Sequence, residues 1–391
     1  MKHRSTKILI LLLLIGVILS GYNYFQRPFL QRFLQSEQTT EIKREVEVDP
    51  RQLILENLST KEKIMQTIAL PVILGEATPS ADAQLAWIET NNPGFITIFG
   101  NNLTATEVAS FTSQLSKLES QQRPLVAVDH EGGAVQRLRG QGFITLSSWR
   151  QSCQMDSDSR IKIFSQSASE LNQAGVQIVF APVVDVARAN SFLGNRACTD
   201  AEEIVATTKD YVTSFAQYGI LSVIKHFPGI GSLTSDPHNQ LDSVSLESSD
   251  TSVFNQVLKT FPNLGVMTTH VAVENKTSGL PCSLSALCLN SFSSNFPQVL
   301  IFTDALEMAS AGFSLEGNSE IESPKSLSQR AQEALIAGND VLVFGETIDM
   351  EKMMILVDEL VDRYENEESL RDRVDEVVFK ILTLKTSAEK L

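Results

Sequence analysis

The sequence predicts an α/β fold: a single-domain (β/α)8 barrel of the TIM type, preceded by an N-terminal membrane anchor. Three observations predict the barrel. Eight short apolar runs alternate with helical patterns, most of the runs are apolar at nearly every position, and polar residues recur where the runs end. A strand that is apolar throughout is buried on both faces, which is typical of a parallel sheet. A doubly wound open sheet is the alternative, but such sheets usually have fewer strands.

The first 25 residues resemble an export signal. Lys2, Arg4 and Lys7 precede the apolar run of residues 8–21, and a basic start followed by an apolar run is typical of such signals. The run is short for a membrane span, yet no good small-x-small cleavage site follows it. We therefore favour an uncleaved signal anchor over a cleaved signal peptide. The folded domain would then be extracytoplasmic and anchored to the cytoplasmic membrane.

Residues 26–52 are polar and charged and predict a tether, so that the barrel occupies residues 53–391. The eight predicted strands lie within residues 65–74, 94–100, 124–130, 176–186, 220–227, 264–273, 298–306 and 340–345. Helices are expected between them, for example over 105–120, 200–219 and 326–338, and a last helix over 349–385. Asp200 and Ser326 are expected to cap helices at the N-terminal end.

The composition is that of a globular protein with a full core, at 42% hydrophobic and 20% charged residues. The formal net charge of -15 makes the surface repel phosphate groups, so we expect no nucleic-acid partner. None of the four cysteines lies in a CxxC pair, which argues against structural zinc. Cys282 and Cys288 either pair in an oxidising compartment or remain buried free thiols, and the sequence leaves both open.

Polar residues lie at the ends of several predicted strands, where a barrel of this type carries its active site. They are Asp129 and Glu131, Asp185 and Arg188, Lys225 and His226, His270, and Asp304. Packing alone does not explain so many polar side chains in these positions. The histidines at or near this rim are His130, His226, His238 and His270. They lack the i,i+4 and HExxH spacings of metal ligands, so we expect neither a metal nor a cofactor.

Asp304 ends an apolar strand in the stretch IFTDALEM, so we expect its carboxylate to be partly buried. A buried carboxylate needs donors nearby, and the candidates are Lys225, Arg137 and Arg196. A fixed carboxylate at a barrel mouth suits a nucleophile that attacks the anomeric carbon of a sugar. The alternative is a structural aspartate that caps the helix after it.

The stretch KHFPGIGSLTSDPH, residues 225–238, continues the fifth strand into a loop. Residues on either side of Pro237 project to the same side of an extended segment, so Asp236 and His238 are expected to meet. A carboxylate beside a histidine fixes its tautomer and supports its charged form. This predicts a general acid/base dyad on a mobile loop, with an ordinary exposed loop histidine as the alternative.

The stretch VDHEGGAVQRLRG carries Asp129 and Arg137, and its two adjacent glycines let the backbone turn sharply after the third strand. Asp129 is suited to accept hydrogen bonds from two vicinal hydroxyls of a sugar, and Arg137 to donate to the same ring. A helix-capping acid beside a surface arginine is the alternative.

Four blocks, in order across about residues 53–345, resemble the catalytic barrel of glycoside hydrolase family 3. The resemblance is strongest to its bacterial β-N-acetylglucosaminidase branch, which acts on peptidoglycan fragments. VDHEGGAVQRL is similar to D-x-E-G-G-x-V-x-R, residues 181–200 to A-P-V-x-D…G-x-R, and FTDALEM to T-D-x-L-x-M. KHFPGIGSLTSDPH matches K-H-F-P-G-H-G…D-x-H with the same spacing. This last block is the specific one, because family 3 β-glucosidases lack the dyad.

The resemblance implies a role for each candidate residue. Asp304 would be the nucleophile that forms a covalent glycosyl intermediate, and His238, oriented by Asp236, would be the acid/base. The N-acetylglucosamine ring would be bound by Asp129, Arg137, Arg196, Lys225 and His226. The implied activity is a retaining exo-β-N-acetylglucosaminidase acting on saccharides with terminal N-acetylglucosamine in cell-wall fragments. The alternatives are a catalytically weak sugar-binding module and a related family 3 glycosidase or phosphorylase for another sugar.

The sequence departs from the family pattern at four places. Ile230 replaces the second histidine of P-G-H-G, and Ser232 and Leu233 stand where small polar residues follow it. Ala134 replaces the arginine after E-G-G, and Ala197-Cys198 replaces the Ser-Phe of G-x-R-S-F. These changes remove no catalytic group, but they bear on the loop conformation and on the preferred aglycone.

Overall fold

The computed structural model describes residues 49–75, 79–120, 122–238, 240–316, 319–320 and 324–388. The expected signal anchor and nearly all of the expected tether lie outside these residues and remain predictions. Within the described part of the chain, no helix is both long and apolar enough to cross a bilayer. Residues from Arg51 onward form one compact unit.

Eight parallel strands form one nearly closed, barrel-like sheet. They are β1 Ile68–Ile73, β2 Phe95–Phe99, β3 Leu125–Val128, β4 Ile178–Val179, β5 Leu221–Phe227, β6 Gly265–Thr268, β7 Leu300–Thr303 and β8 Leu342–Val343. Each strand pairs with the next along the chain from β1 to β7, and β8 pairs with β1. A parallel bridge between Phe302 and Val341 connects β7 with the residue before β8. Every strand lies inside its predicted run, so the barrel class is confirmed.

Helices surround this sheet and follow most of the strands. Their bounds are α1 Pro50–Asn57, α2 Thr60–Gln66, α3 Ala81–Asn91, α4 Ala105–Leu115, α5 Trp149–Cys153, α6 Ser157–Gln173, α7 Ala201–Ala216, α8 Ser248–Thr260, α9 Ala286–Asn295, α10 Ala309–Gly312, α11 Leu327–Ala337, α12 Met350–Asn366 and α13 Glu368–Ala388. Asp200 caps α7 by accepting hydrogen bonds from two backbone N–H groups, and Ser326 caps α11, as predicted. The predicted single helix over 349–385 is wrong. The extended backbone of Glu367 separates α12 from α13.

Three short strand pairs lie in the loops after the carboxyl ends of the barrel strands and were not predicted. They join His130–Gly132 to Val135–Gln136, Ser243–Val244 to Ala272–Val273, and Leu315–Glu316 to Ser319–Glu320. Segments this short carry no periodic signal in the sequence. They build up the rim of the barrel mouth.

The interior of the barrel is filled by side chains. Phe95 and Phe180 both present edges to Phe302, each with a ring-centroid distance of 5.7 Å. All three rings are buried, and burial of each contributes about 1.5–3 kcal/mol relative to exposure. The barrel is therefore a packed core rather than a pore.

The four cysteines form two disulfides in the structure. Cys282 pairs with Cys288, with a Cα–Cα distance of 5.3 Å, and Cys153 pairs with Cys198 at 6.5 Å. The alternative of buried free thiols is thus wrong. The second pair, which the sequence did not predict, ties the C-terminal residue of α5 to the segment that carries Arg196.

Candidate active site

The candidate site is a cavity of about 430 Å³ at the carboxyl ends of the barrel strands. Its wall includes every predicted site residue except Asp236, namely Asp129, Arg137, Arg196, Lys225, His226, His238 and Asp304. Asp236 does not line the cavity, but it is hydrogen-bonded to His238, which does. The fold therefore brings together residues that are widely separated in the sequence. A cavity of about 640 Å³ at the opposite, amino end of the barrel contains none of them.

A buried network of charges forms one wall of the cavity. The Lys225 Nζ lies 2.8 Å from Asp129 Oδ1 and 2.7 Å from Glu131 Oε1. Arg196 donates to both oxygens of Glu131, each at 2.9 Å. Burial alone would raise the pKa of Glu131, but the charges of Lys225 and Arg196 outweigh it and lower this pKa to about 2. Glu131 therefore stays ionised and holds both cations in place.

The pairing of these cations corrects one prediction. Lys225 and Arg196 were expected to donate to Asp304, but the structure places them on Asp129 and Glu131 instead. The third candidate, Arg137, lies with its Nε 4.0 Å from Asp129 Oδ2 and its guanidinium carbon 5.1 Å from the centre of the Phe99 ring. The guanidinium of Arg137 is thus held by the Phe99 ring and by the charge of Asp129. Its N–H groups remain available to a ligand.

Asp304 follows β7, and the backbone fixes its position. Its N–H donates to the Thr268 carbonyl of β6 at 2.8 Å, and its Oδ1 accepts from the Ala305 N–H at 2.8 Å. Burial raises the pKa of Asp304, but the charges of His226 and His270 and the Ala305 N–H together lower it below its usual value. The carboxylate is therefore ionised. It does not cap the next helix, because α10 begins only at Ala309.

Asp185 holds the imidazole of His226. Its Oδ2 lies 2.7 Å from His226 Nδ1 and 3.1 Å from the His226 backbone N, while its Oδ1 accepts from Ile230 N at 2.8 Å. Because the carboxylate accepts, Nδ1 carries a proton, and Nε2 is left to face the cavity. The peptide bond between Lys225 and His226 is cis.

The other two rim histidines have structural partners. His270 lies behind Asp304, with Nδ1 2.6 Å from Ser283 Oγ and Nε2 3.1 Å from the Ala305 carbonyl oxygen. His130 is fully buried with Nε2 2.8 Å from Ser167 Oγ. Burial lowers the pKa of His130 to about 3, so its ring is neutral. In the described part of the chain, no group of three His, Cys, Asp or Glu residues is arranged to hold a metal ion.

The predicted dyad forms at the cavity edge. His238 Nδ1 is hydrogen-bonded to Asp236 Oδ1, which also accepts from the His238 backbone N–H at 3.0 Å. Burial raises the pKa of Asp236, but these bonds outweigh it and lower the pKa. The two side chains are 57% and 55% exposed, so Nε2 of His238 remains accessible. The His238 carbonyl accepts from Ala309 N at 3.2 Å, which connects this loop to the segment after Asp304.

Three residues of the site were given no role from the sequence. Glu131 and Asp185 each hold a predicted ligand-binding side chain, and their position after a strand end was the signal that pointed to them. Glu307 also lines the cavity. It lies three positions after Asp304 in a turn, where sequence gives no indication of which way a side chain points.

Comparison with protein families and curated relatives gives a consistent result. The family model "Glycosyl hydrolase family 3 N terminal domain" matches residues 59–384. A beta-hexosaminidase of Xanthomonas euvesicatoria pv. vesicatoria (strain 85-10) is 34% identical over 177 residues, which are 43% of this chain and 52% of that protein. A beta-hexosaminidase of Stenotrophomonas maltophilia (strain R551-3) is 30% identical over 176 residues, again 43% and 52%. The match thus spans about half the length of these curated relatives.

Solved structures share the fold. M. tuberculosis LpqI superposes with a TM-score of 0.73 at 24% identity, covering 86% of this chain and 96% of that chain. The glycoside hydrolase family 3 β-N-acetylglucosaminidase from Paenibacillus sp. str. FPU-7 gives 0.72 at 23% identity, covering 85% and 63%.

Proposed function

Because the chain belongs to glycosyl hydrolase family 3, we propose that it is a retaining exo-β-N-acetylglucosaminidase. The observation that carries this proposal is the geometry of the cavity. An ionised Asp304 and an Asp236-bound His238 line the same cavity. The curated relatives are named beta-hexosaminidases, and the Paenibacillus neighbour a β-N-acetylglucosaminidase. These names favour an N-acetylhexosamine as the substrate sugar.

The charged wall of the cavity binds the sugar ring in this proposal. Asp129 accepts hydrogen bonds from ring hydroxyls, while Lys225, Arg196 and Arg137 donate to them. His226 faces the ring through Nε2, because Asp185 holds its Nδ1. Since these groups are already paired with one another, little reorganisation is needed when the sugar binds, which favours the reaction.

In the first chemical step, a carboxylate oxygen of Asp304 attacks the anomeric carbon and the bond from this carbon to the leaving oxygen breaks. The leaving oxygen takes a proton from His238 Nε2. Asp236 stabilises the imidazolium that precedes this transfer. General acid catalysis of this kind contributes about 10²–10⁴-fold in rate.

In the second step, the neutral His238 accepts a proton from water. The water oxygen attacks the anomeric carbon, and the bond to Asp304 breaks. Two successive inversions give net retention of the anomeric configuration. An exposed imidazole suits this exchange, because it must meet both the aglycone and the incoming water.

We further propose that the substrates are cell-wall fragments outside the cytoplasm. Two disulfides in a chain with four cysteines are typical of an oxidising compartment. The basic and apolar residues 1–25 support export and membrane anchoring. A peptidoglycan fragment with a terminal N-acetylglucosamine is a substrate that an enzyme in this position would meet.

The test is product analysis with the purified full chain. Purified muropeptides and a chromogenic N-acetyl-β-glucosaminide are each incubated with wild type and with Asp304→Asn, with and without inorganic phosphate. We expect wild type alone to release free N-acetylglucosamine, seen first as the β-anomer by NMR. Release of the α-anomer first would reject retention. A sugar phosphate formed only with phosphate would indicate a phosphorylase, and no release by folded protein would reject the substrate.

A further inference from the structure

A second cavity adjoins the candidate site on the side of β2 and β3. It has a volume of about 370 Å³, and its wall includes Asn101 and Asn102, which follow β2, and Arg139, which follows β3. Val135 and Arg137 line both this cavity and the candidate site. The two cavities therefore share part of one wall, and a ligand in the first can extend along it into the second.

The second cavity is basic although the protein as a whole is acidic. The net charge of the chain is -15, yet Arg137 and Arg139 line this cavity and no acidic side chain of the described residues does. The buried network beside it contains two cations and two carboxylates. Because those four charges cancel, the two arginines remain in excess.

Arg137 has its guanidinium in place without a hydrogen bond to another described residue. Its Nε is enclosed and lies 4.0 Å from Asp129 Oδ2, which is beyond hydrogen-bond distance. The Asp129 carboxylate is itself occupied by Lys225 at 2.8 Å. Because the Arg137 side chain is nevertheless 36% exposed, its terminal amino groups, rather than Nε, can reach a ligand.

Arg139 places a second guanidinium beside the cavity. Its Nε donates to the Gln136 carbonyl at 2.6 Å, and its Nη2 donates to the carbonyls of Gly133 at 2.6 Å and Ala134 at 3.0 Å. These bonds hold the side chain but leave its charge uncompensated, since carbonyl groups are neutral. Fixed guanidinium groups of this kind are suited to carboxylate and phosphate oxygens.

The position of the second cavity shows which part of a bound sugar it would meet. The eight strands follow chain order around the sheet, so β2 and β3 lie across the barrel mouth from β7. When Asp304, after β7, attacks C1, the carbons on the far side of the ring are C3, C4 and C6. The terminal sugar of a 1,4-linked chain has a free hydroxyl on C4. A substituent that enters the second cavity is therefore attached through O3 or O6.

We propose that the second cavity binds an anionic substituent, a carboxylate or a phosphate, on O3 or O6 of the terminal N-acetylhexosamine. This inference rests on the proposed function and extends it to substituted sugars. A neutral second sugar is the alternative occupant. The two guanidinium groups favour the anion, because hydrogen bonds between charged partners are about twice as strong as those between neutral ones.

The experiment compares kcat/KM within two pairs of p-nitrophenyl substrates. The first pair is the N-acetyl-β-muramide, which carries a carboxylate on O3, and its methyl ester. The second pair is the N-acetyl-β-glucosaminide 6-phosphate and its dimethyl ester. We expect wild type to prefer the charged member of at least one pair by about 5- to 50-fold. The preference should weaken when NaCl is raised from about 20 mM to about 0.5 M. The pair that shows it identifies the anion and its position.

Variants that add a negative charge test the cavity itself. Asn101→Asp and Asn102→Asp each place a carboxylate at the cavity wall and should lower the charged-to-neutral ratio by about 3- to 10-fold. Both positions are exposed, so neither change disturbs the core. Asn290→Asp, at an exposed position of α9, adds the same charge outside both cavities and should keep the wild-type ratio. Arg139→Gln is less suitable, because it also removes the bonds to the three carbonyls.

Three results would overturn the inference. One is an equal kcat/KM for the charged and neutral members of both pairs, or a preference for the neutral members. Another is a wild-type ratio in both Asn101→Asp and Asn102→Asp, since the preference would then arise elsewhere. The third is release of intact N,N′-diacetylchitobiose from its p-nitrophenyl glycoside, which would assign the cavity to a neutral second sugar.

Failure of the proposed function is recognised separately. If wild type does not hydrolyse p-nitrophenyl N-acetyl-β-glucosaminide, that function fails. Calorimetry then compares the binding of N-acetylmuramic acid with that of its methyl ester, and of N-acetylglucosamine 6-phosphate with that of its dimethyl ester. Tighter binding of a charged member to wild type, lost in Asn101→Asp, would support the anion site without catalysis. Equal binding within both pairs, or no binding, would reject it.

Discussion

At the scale of single residues, the environment gives two carboxyl groups in one turn opposite tendencies. The pKa of Asp304 is lowered despite burial, because two histidine charges and a backbone N–H favour its ionised form. The pKa of Glu307 is raised, because burial dominates and Asp304 repels a second negative charge. Two carboxyl groups three positions apart thus have pKa values shifted in opposite directions.

If His238 is the general acid, the loss of kcat/KM in His238→Ala should depend on the leaving group of the substrate. His238→Ala is expected to lower kcat/KM by about 10²–10⁴-fold for a natural sugar aglycone and far less for 2,4-dinitrophenol, which leaves without protonation. Gln240→Ala, on the same loop, is the control and should keep wild-type values. Steady-state kinetics with both substrates is the measurement. Equal losses with both leaving groups would argue against an acid role.

Glu131 should make stability depend on pH in the acidic range. The pKa of Glu131 is about 2 in the folded state and about 4.3 in the unfolded state. This difference corresponds to about 3 kcal/mol in the free energy of unfolding. Because the folded pKa is the lower one, this stabilisation is present above about pH 4.3 and is lost as the pH falls towards 2. Urea unfolding of wild type and Glu131→Gln should therefore converge in free energy from pH 5 downward.

The control for this experiment is Glu359→Gln, an exposed position on α12. Its unfolding free energy should follow that of wild type at every pH. If Glu131→Gln also stays parallel to wild type down to pH 2, the charge network does not stabilise the fold as described.

At the scale of elements, disulfides and loops hold the site in place. Cys282–Cys288 encloses Ser283, whose hydroxyl contacts His270, and His270 in turn donates to the Ala305 carbonyl beside the nucleophile. Cys153–Cys198 holds the segment of Arg196. Disulfides and hydrogen bonds, rather than apolar packing, therefore hold these residues of the candidate site in place.

The two disulfides should differ in their effect on stability. The cysteines are 45 positions apart in Cys153–Cys198 and 6 apart in Cys282–Cys288. Restriction of the unfolded chain then contributes about 4 and about 2.5 kcal/mol respectively. Denaturant unfolding of the two double Cys→Ser variants should show the larger loss for the longer loop. A larger loss for the shorter loop would mean that its contacts in the folded state dominate.

The elements that could be predicted are those with a repeating signal. All eight barrel strands were found, because each lies in a mostly apolar run and polar residues follow most of these runs. The Asp236–His238 contact was found as well, because it depends only on neighbours in sequence. The partners of Lys225 and Arg196 were not, because they are set by distances across the barrel mouth. The position of the Glu307 carboxyl was not predicted either, because its Oε1 accepts from the N–H of Gly345, which follows another strand.

At the scale of the whole molecule, the packed core and the candidate site occupy different parts of the barrel. Its interior is filled by packed aromatic rings, and the charged residues of the candidate site lie together at the carboxyl ends of the strands. The acidic net charge of -15 disfavours binding to anionic polymers. These features are compatible with the proposed action on saccharides.

The full chain should also be found outside the cytoplasm and with the membrane. Fractionation of cells that make the full chain with a C-terminal tag should place it in the membrane pellet. External protease should reach the tag in spheroplasts. Replacement of Leu11, Leu12 and Leu13 by Asp within the apolar run should leave the protein inside the cells, since charges oppose insertion. A soluble cytoplasmic wild type would contradict the proposed location.

The most direct test of the mechanism is to trap the glycosyl enzyme. His238→Ala should still react with 2,4-dinitrophenyl N-acetyl-β-glucosaminide, since this leaving group needs no acid, but should hydrolyse the intermediate slowly without its base. Intact-protein mass spectrometry should show a gain of one N-acetylhexosamine unit, and peptide mapping should locate it on Asp304. A burst of dinitrophenol with no adduct, or an adduct on any other residue, would contradict the proposed pair of nucleophile and acid/base.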